Sequence, residues 1–319
     1  MIAPAHGGDA VSQVVAFYDA HPINEEQILH TLQARGISLH GLTEDTLKEF
    51  DQDHFGGTAV NDILAQAAGL SRAHHVLDVC SGMGGPARYF AHYYGCRVTG
   101  LDFTYTRFVG ARRLTEMVGL QQRVDFCHGN ALDMPFPDAS FDVVVGQEAW
   151  CHIPDKPRLI AQCARVLKPG GVLAFTDILR RDGLGATEMA RLQREMTFPT
   201  LETLDGYRDL LASQACALQR RDDLSEEWAR ILLARLAMYR NLKQETVQKF
   251  GPLSPNWIET CPAAMSEIII GMKKGLTRPG PRSTSVRCWA SKVSMPPIPD
   301  PMITPIRLAS SAPTSSPAL

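Results

Sequence analysis

The sequence predicts an α/β fold, a mostly parallel sheet with helices on both faces. Three observations point to it. From residue 75 onward, nearly continuous apolar runs alternate with helix-like stretches of about ten residues. A strand that is apolar throughout is buried on both faces, and parallel neighbours need a crossover, usually helical, between them. The third observation is the glycine-rich turn in VLDVCSGMGG (76–85), placed between the first such strand and the first such helix. Sheets of this kind bind ligands at that edge.

Taken in order, residues 10–70 read as helical and loop-rich, with a helix over 59–68 started by the turn at Gly56-Gly57. Strands are expected at 75–80, 97–102, 124–129, 141–147 and 171–178, with helices at 86–95, 106–119 and 155–167 between them. LKPGG (167–171) reads as a helix stop followed by a tight turn into the fifth strand. Residues 183–213 carry helical material, 216–224 a further strand, 226–250 an amphipathic helix, and 265–274 a last strand, which brings the sheet to seven. Residues 275–319 are Pro- and Ser-rich without periodicity and read as a disordered tail. The expected division is an N-terminal helical lid at 1–70, a main domain at 71–274 that includes a 183–213 cap and the 226–250 helix, and the 275–319 tail.

In a chain of 319 residues, acidic and basic side chains nearly balance, for a formal charge of -2. No basic field exists to hold a polyanion, so nucleic acid is not an expected partner. The eight cysteines show no CxxC or regular spacing, which argues against a disulfide scaffold or a metal site and for a reduced cytoplasmic protein. The apolar runs at 142–146 and 266–272 are too short to span a bilayer, and no signal peptide is expected.

Gly82 and Gly84 allow a tight turn and close backbone approach, and the following helix start offers unpaired N–H groups. With Ala87 they also satisfy a dinucleotide pattern, and Asp102 stands at ribose-binding distance, so a hydride-transfer cofactor and a different nucleoside both fit the turn. Two features separate the readings. Asp78, inside the first strand, would repel a pyrophosphate but can accept from a cationic amino group. Asn130, just after the third strand, can pair with an adenine edge, with Ala131 and Leu132 as backbone contact and apolar wall.

With VLDVCSGMGG, GLD, GNALDMPFPDASFDVV and RVLKPGG in this order, the chain over roughly 70–275 resembles the class I S-adenosylmethionine-dependent methyltransferases. The resemblance implies a Rossmann-like fold and S-adenosyl-L-methionine as cofactor, with Gly82 and Gly84 at its methionine end, Asp102 on the ribose and Asn130 near the adenine. Cys80 stands where many relatives carry glycine.

GQEAWCHIPDK (146–156) is similar to the SQDAxxH segment of small-molecule amine N-methyltransferases, including those acting on sarcosine, dimethylglycine and phosphoethanolamine. The resemblance implies Gln147 near the donor and His152 near the acceptor. His152 is then a candidate base or orienting group, and Glu148 a candidate partner for a cationic amine. Trp150 reads equally well as one wall of a cation site or as packing for the loop, Asp177 is expected to face the same crevice, and Met196, Phe198 and Tyr207 are candidate walls of the cap or else core residues. Tyr18, His21, Phe55 and Gly56 are expected to close over the donor; one of Thr104, Tyr105 and Arg107, which follow Asp102 closely, is a candidate contact to the donor's ribose or carboxylate, with Arg107 reading equally well as a surface or helix-cap residue. The expected activity is N-methylation of a small amine or amino-acid-like acceptor by a monomer or homodimer. O- or C-methylation of a small secondary metabolite is the alternative.

Overall fold

The computed structural model describes residues 7–19, 21, 23–231, 233 and 267–274. Helices α1 (Gly7–Asp19), α2 (Glu25–Ala34), α3 (Glu44–Leu47) and α4 (Gly57–Ala68) precede the first strand, β1 (His75–Val79). Then follow α5 (Gly85–Tyr89), β2 (Arg97–Asp102), α6 (Tyr105–Met117), β3 (Val124–His128), β4 (Phe141–Gln147), α7 (Lys156–Val166) and β5 (Leu167–Asp177). Helices α8 (Ala186–Met196) and α9 (Leu204–Ser213) lead to β6 (Cys216–Asp222), and β7 (Glu267–Lys274) completes the sheet.

The strands pair in the order β3-β2-β1-β4-β5-β7-β6. The first five neighbours are parallel, and β7 runs antiparallel to both β5 and β6. Because chain order reverses direction between β1 and β4, the crevice at their carboxyl ends is a topological switch point. Period-two alternation explains the two covered faces. Val76, Val143, Val145 and Ala174 meet α4, α5 and α6, while Leu77, Val79, Val144, Leu173 and Phe175 meet α7 and α9. A third cluster joins Leu32 of α2, Leu47 of α3 and Leu114 of α6 to Met83 of the glycine turn. Each fully buried leucine contributes roughly 2 kcal/mol, so the N-terminal helices are held directly against the turn.

Two local expectations are corrected. LKPGG does not precede the fifth strand but belongs to it. Phe141 pairs with Leu167 and Val143 with Val172, so the extra residues form a bulge with Gly170 at φ 79. The helix expected over 86–95 changes to a π-helix at Phe90–Tyr94. That wider turn brings Tyr89 and Tyr94, five residues apart, onto one carboxylate oxygen of Asp62, at 2.9 and 2.7 Å. The helix expected at 226–250 is described only to residue 231 and at 233, and the 275–319 segment lies outside the described residues. Among the described residues, no helix is long and apolar enough to cross a membrane.

Candidate active site

The turn after β1 is built by backbone strain and a carboxylate. Cys80, Gly82 and Gly84 all have positive φ, at 65, 54 and 78°. Asp102, at the end of β2, fixes the turn by accepting from the Gly82 and Thr104 amides, both at 2.8 Å. The glycines also serve packing. A Cβ at Gly84 would lie 2.5 Å from the Phe126 ring, and one at Gly85 2.5 Å from the Asp51 carbonyl. Gly84→Ala therefore combines a left-handed backbone with a ring clash, and is expected to destabilise by about 2–4 kcal/mol in urea denaturation.

Around this turn several buried polar atoms have no hydrogen-bond partner among the described residues: Asp78 Oδ2, Ser81 Oγ, Gln147 Oε1, and Nε and Nη1 of Arg107. Burial, and then the charge of Asp102, push the Asp78 carboxyl up to about 7. Burial likewise raises Asp102, against the opposing pull of the Thr104 amide and of Arg107. Unsatisfied buried groups of both signs beside a strained glycine turn are what a bound polar ligand would complete.

Gln147 ends β4 and donates through Nε2 to Asn61 Oδ1 at 2.9 Å. Asn61 in turn donates to Gln52 Oε1 at 2.8 Å, so the sheet edge is wired to the N-terminal segment. Glu148 follows at φ 52, with its carboxylate accepting from the Phe55 amide at 2.6 Å and from Thr176 Oγ1 at 3.3 Å. Asn130 is exposed, and its oxygen accepts from the Leu132 amide at 2.9 Å, while Ala131 is buried beside it.

His152 sits in a cage of rings: Phe198 at 5.0 Å, Tyr18 at 5.3 Å and Phe17 at 5.8 Å between centroids. Its Nδ1 lies 3.2 Å from the Thr197 carbonyl and 3.0 Å from Thr197 Oγ1. A carbonyl only accepts, so Nδ1 carries the proton. Thr197 Oγ1 is consistent with this, since it donates to the Met196 carbonyl at 2.7 Å. The Nε2 lone pair is thereby left for another partner. Burial, opposed by the Thr197 contact, lowers the imidazole to about 4, so His152 is neutral at physiological pH.

Other expectations are corrected. Trp150 is fully buried and stacked on Phe175 at 4.3 Å, so it packs the loop and forms no cation wall. Asp177 is fully buried and accepts from the Cys151 amide at 2.8 Å and the Tyr207 hydroxyl at 2.6 Å, which makes it a clamp rather than a crevice residue. Tyr207 is accordingly core. Phe198 meets the His152 ring, and both Phe198 and Met196 are buried in one core cluster. Arg107 is no surface residue: it is 3% exposed, pairs with Asp53 at 2.8 Å, and lies under the Tyr18 ring at 4.6 Å. An arginine on the first turn of a helix that follows a ribose-type acid was the available signal. Among the described residues no group of three or more His, Cys, Asp or Glu could hold a metal ion.

Known proteins resemble this chain in sequence and in fold. Residues 77–175 match the family described as a methyltransferase domain. Over 174 residues the chain is 33% identical to methyltransferase GfsG of Streptomyces halstedii, covering 54% of this chain and 63% of that one. Over 155 residues it is 42% identical to the sterol 24-C-methyltransferase of Eremothecium gossypii, covering 47% of this chain and 42% of that one. The chain thus spans less than two thirds of the length of each. A Haemonchus contortus phosphoethanolamine N-methyltransferase 2, solved with phosphomonomethylethanolamine and S-adenosylhomocysteine, superposes with a TM-score of 0.63. It is 19% identical and covers 82% of this chain and 59% of that one, a likeness of fold.

Proposed function

We propose that this chain, which carries a class I S-adenosylmethionine-dependent methyltransferase domain, methylates a hydroxyl oxygen or a nucleophilic carbon of a small apolar metabolite. When bound, S-adenosyl-L-methionine would supply an electrophilic methyl group on sulfur. The residues present fit that donor. Gly82 and Gly84 open the turn to it, Asp102 stands where ribose hydroxyls are held, and Ala131 with Asn130 border the adenine end. Asp78 Oδ2 and Gln147 Oε1 are unsatisfied acceptors suited to an ammonium group.

The observation that carries the choice of acceptor is the commitment of the nearby carboxylates. An amine held as a cation needs a carboxylate left to receive it, yet Glu148 and Asp177 both spend their oxygens on backbone amides and hydroxyls of the protein. What surrounds His152 is apolar and aromatic, and His152 itself is neutral. This favours the oxygen or carbon reading over the amine suggested by GQEAWCHIPDK. The 42% identity to a sterol 24-C-methyltransferase supports it, although glycine/sarcosine/dimethylglycine and sarcosine/dimethylglycine N-methyltransferases are also relatives, at 32% and 31% identity.

In this reading His152 Nε2 would accept a hydrogen bond from the acceptor and take its proton as the methyl carbon passes from sulfur to the acceptor, with S-adenosylhomocysteine as the leaving product. A weakly basic imidazole suffices, because the oxygen or carbon centre becomes strongly acidic on methylation. Tyr18, Phe17 and the 51–56 segment act as a lid that excludes water, and 183–213 as a cap over the acceptor. Much of the rate then comes from holding donor and acceptor in line. His152→Ala is expected to lower turnover by about 100-fold or more while S-adenosylhomocysteine affinity, read by calorimetry, stays within about twofold. The substrate class is tested by supplying methyl-labelled donor with a metabolite extract and identifying labelled products by mass. Oxygen- or carbon-methylated apolar products are expected, and labelled amines alone would overturn the reading.

A further inference from the structure

Arg107 is a cation enclosed in protein, and the fold satisfies only one end of it. Its Nη2 donates to Asp53 Oδ2 at 2.8 Å and to the Ile23 carbonyl at 3.2 Å. Its Nε and Nη1 are buried without a partner among the described residues. The Nη1 end faces the glycine turn, since a Cβ at Gly82 would lie 3.3 Å from it. The Tyr18 ring covers the guanidinium face at 4.6 Å, so only in-plane N–H groups are left to bond. Asp78 Oδ2 of β1 and Ser81 Oγ of the turn, also buried, lack partners among the described residues. An unsatisfied donor of positive charge and an unsatisfied acceptor of negative charge, on either side of one glycine turn, match a zwitterion such as an amino-acid tail.

We propose that Arg107 binds the α-carboxylate of the methyl donor's methionine tail through Nη1 while Nη2 keeps Asp53. The inference rests on the donor reading above and assigns a binding residue that lies on α6, outside the glycine turn itself. Asp53 belongs to the N-terminal segment, and Ile23 precedes α2, so the same guanidinium links the donor's tail to the segment that covers it. The other charged groups near Arg107 are Asp102, whose carboxyl its charge lowers, and His21, which faces Asp53 at 3.6 Å.

The experiment compares wild type with Arg107→Met and Arg107→Lys by calorimetry against three probes. S-adenosylhomocysteine carries the whole tail, decarboxylated S-adenosylmethionine lacks only the carboxylate, and 5′-methylthioadenosine lacks the tail. Arg107→Met is expected to weaken S-adenosylhomocysteine by about 10- to 100-fold, with the other two within about threefold of wild type. Arg107→Lys should recover part of the loss. Equal weakening of all three probes, or no weakening of S-adenosylhomocysteine, overturns the assignment. Wild type that binds none of the three would instead sink the donor reading and the assignment with it.

Discussion

Asp78→Asn is expected to make the ligand-free protein more stable at pH 8, by about 2–4 kcal/mol, while abolishing tight donor binding. The native carboxyl titrates near 7 because it is buried beside Asp102, whereas an unfolded aspartate titrates near 3.9. Between roughly pH 4 and 7 the native state therefore holds a proton that the unfolded state has lost. Stability falls as pH rises through that window, and above pH 7 the full penalty is present. Raising the carboxyl from its unfolded value to about 7 corresponds to roughly 4 kcal/mol, and the buried amide of asparagine gives some of that back. Urea denaturation at pH 4 and pH 8 checks it: the two proteins should differ little at the lower pH and most at the higher. Donor binding has the opposite requirement. A cationic ammonium beside Asp78 favours the ionised form, so affinity should decline as pH falls below about 7, with proton uptake from buffer on release. An Asp78→Asn protein less stable than wild type at pH 8 would show that the carboxylate is held by contacts rather than strained by burial.

The same residue illustrates what a sequence can carry. An aspartate inside an apolar strand, four positions before a glycine turn, is legible as chemistry because nothing else in a buried strand needs it. The strands were legible for the complementary reason, since runs such as FDVVVGQ leave no polar face to solvent. Side-chain direction after a strand was not legible. Glu148, Trp150, Asp177 and Tyr207 all belong to polar or aromatic clusters near the site in sequence, yet tertiary packing turned each inward to a protein partner. The LKPGG bulge was missed because Pro-Gly-Gly normally signals a turn, and only pairing with β4 shows that the strand resumes on both sides of it. Arg88 was missed, and Arg107 left open between site and surface, because arginine is read as solvent-exposed by default, and burial of a charge depends on partners distant in sequence.

Arg88→Ala is expected to destabilise by about 3–5 kcal/mol and to release the N-terminal segment before the sheet unfolds. Arg88 is fully buried on α5 and binds the Asp51 carboxylate at 2.8 Å, the Met83 carbonyl at 2.7 Å, the Ala111 carbonyl at 3.1 Å and Thr115 Oγ1 at 3.0 Å. Glu44, also buried, lies 3.6 Å from Nε, and burial together with the Asp51 charge pushes its carboxyl up. Removing the guanidinium strands Asp51 in the interior, where an unpaired carboxylate must protonate or leave. Leaving means lifting the 51–56 segment, and with it the Gln52–Asn61–Gln147 chain and the Phe55–Glu148 bond at the site. Limited proteolysis should therefore cut within 23–56 in the variant and spare β1 to β5. The double variant Arg88→Met with Asp51→Leu should recover most of the lost stability, because replacing both members of a buried pair by apolar groups avoids the stranded charge. If the single variant loses stability without new cleavage in 23–56, Arg88 supports the glycine turn through Met83 alone. The N-terminal segment would then be held chiefly by its leucines.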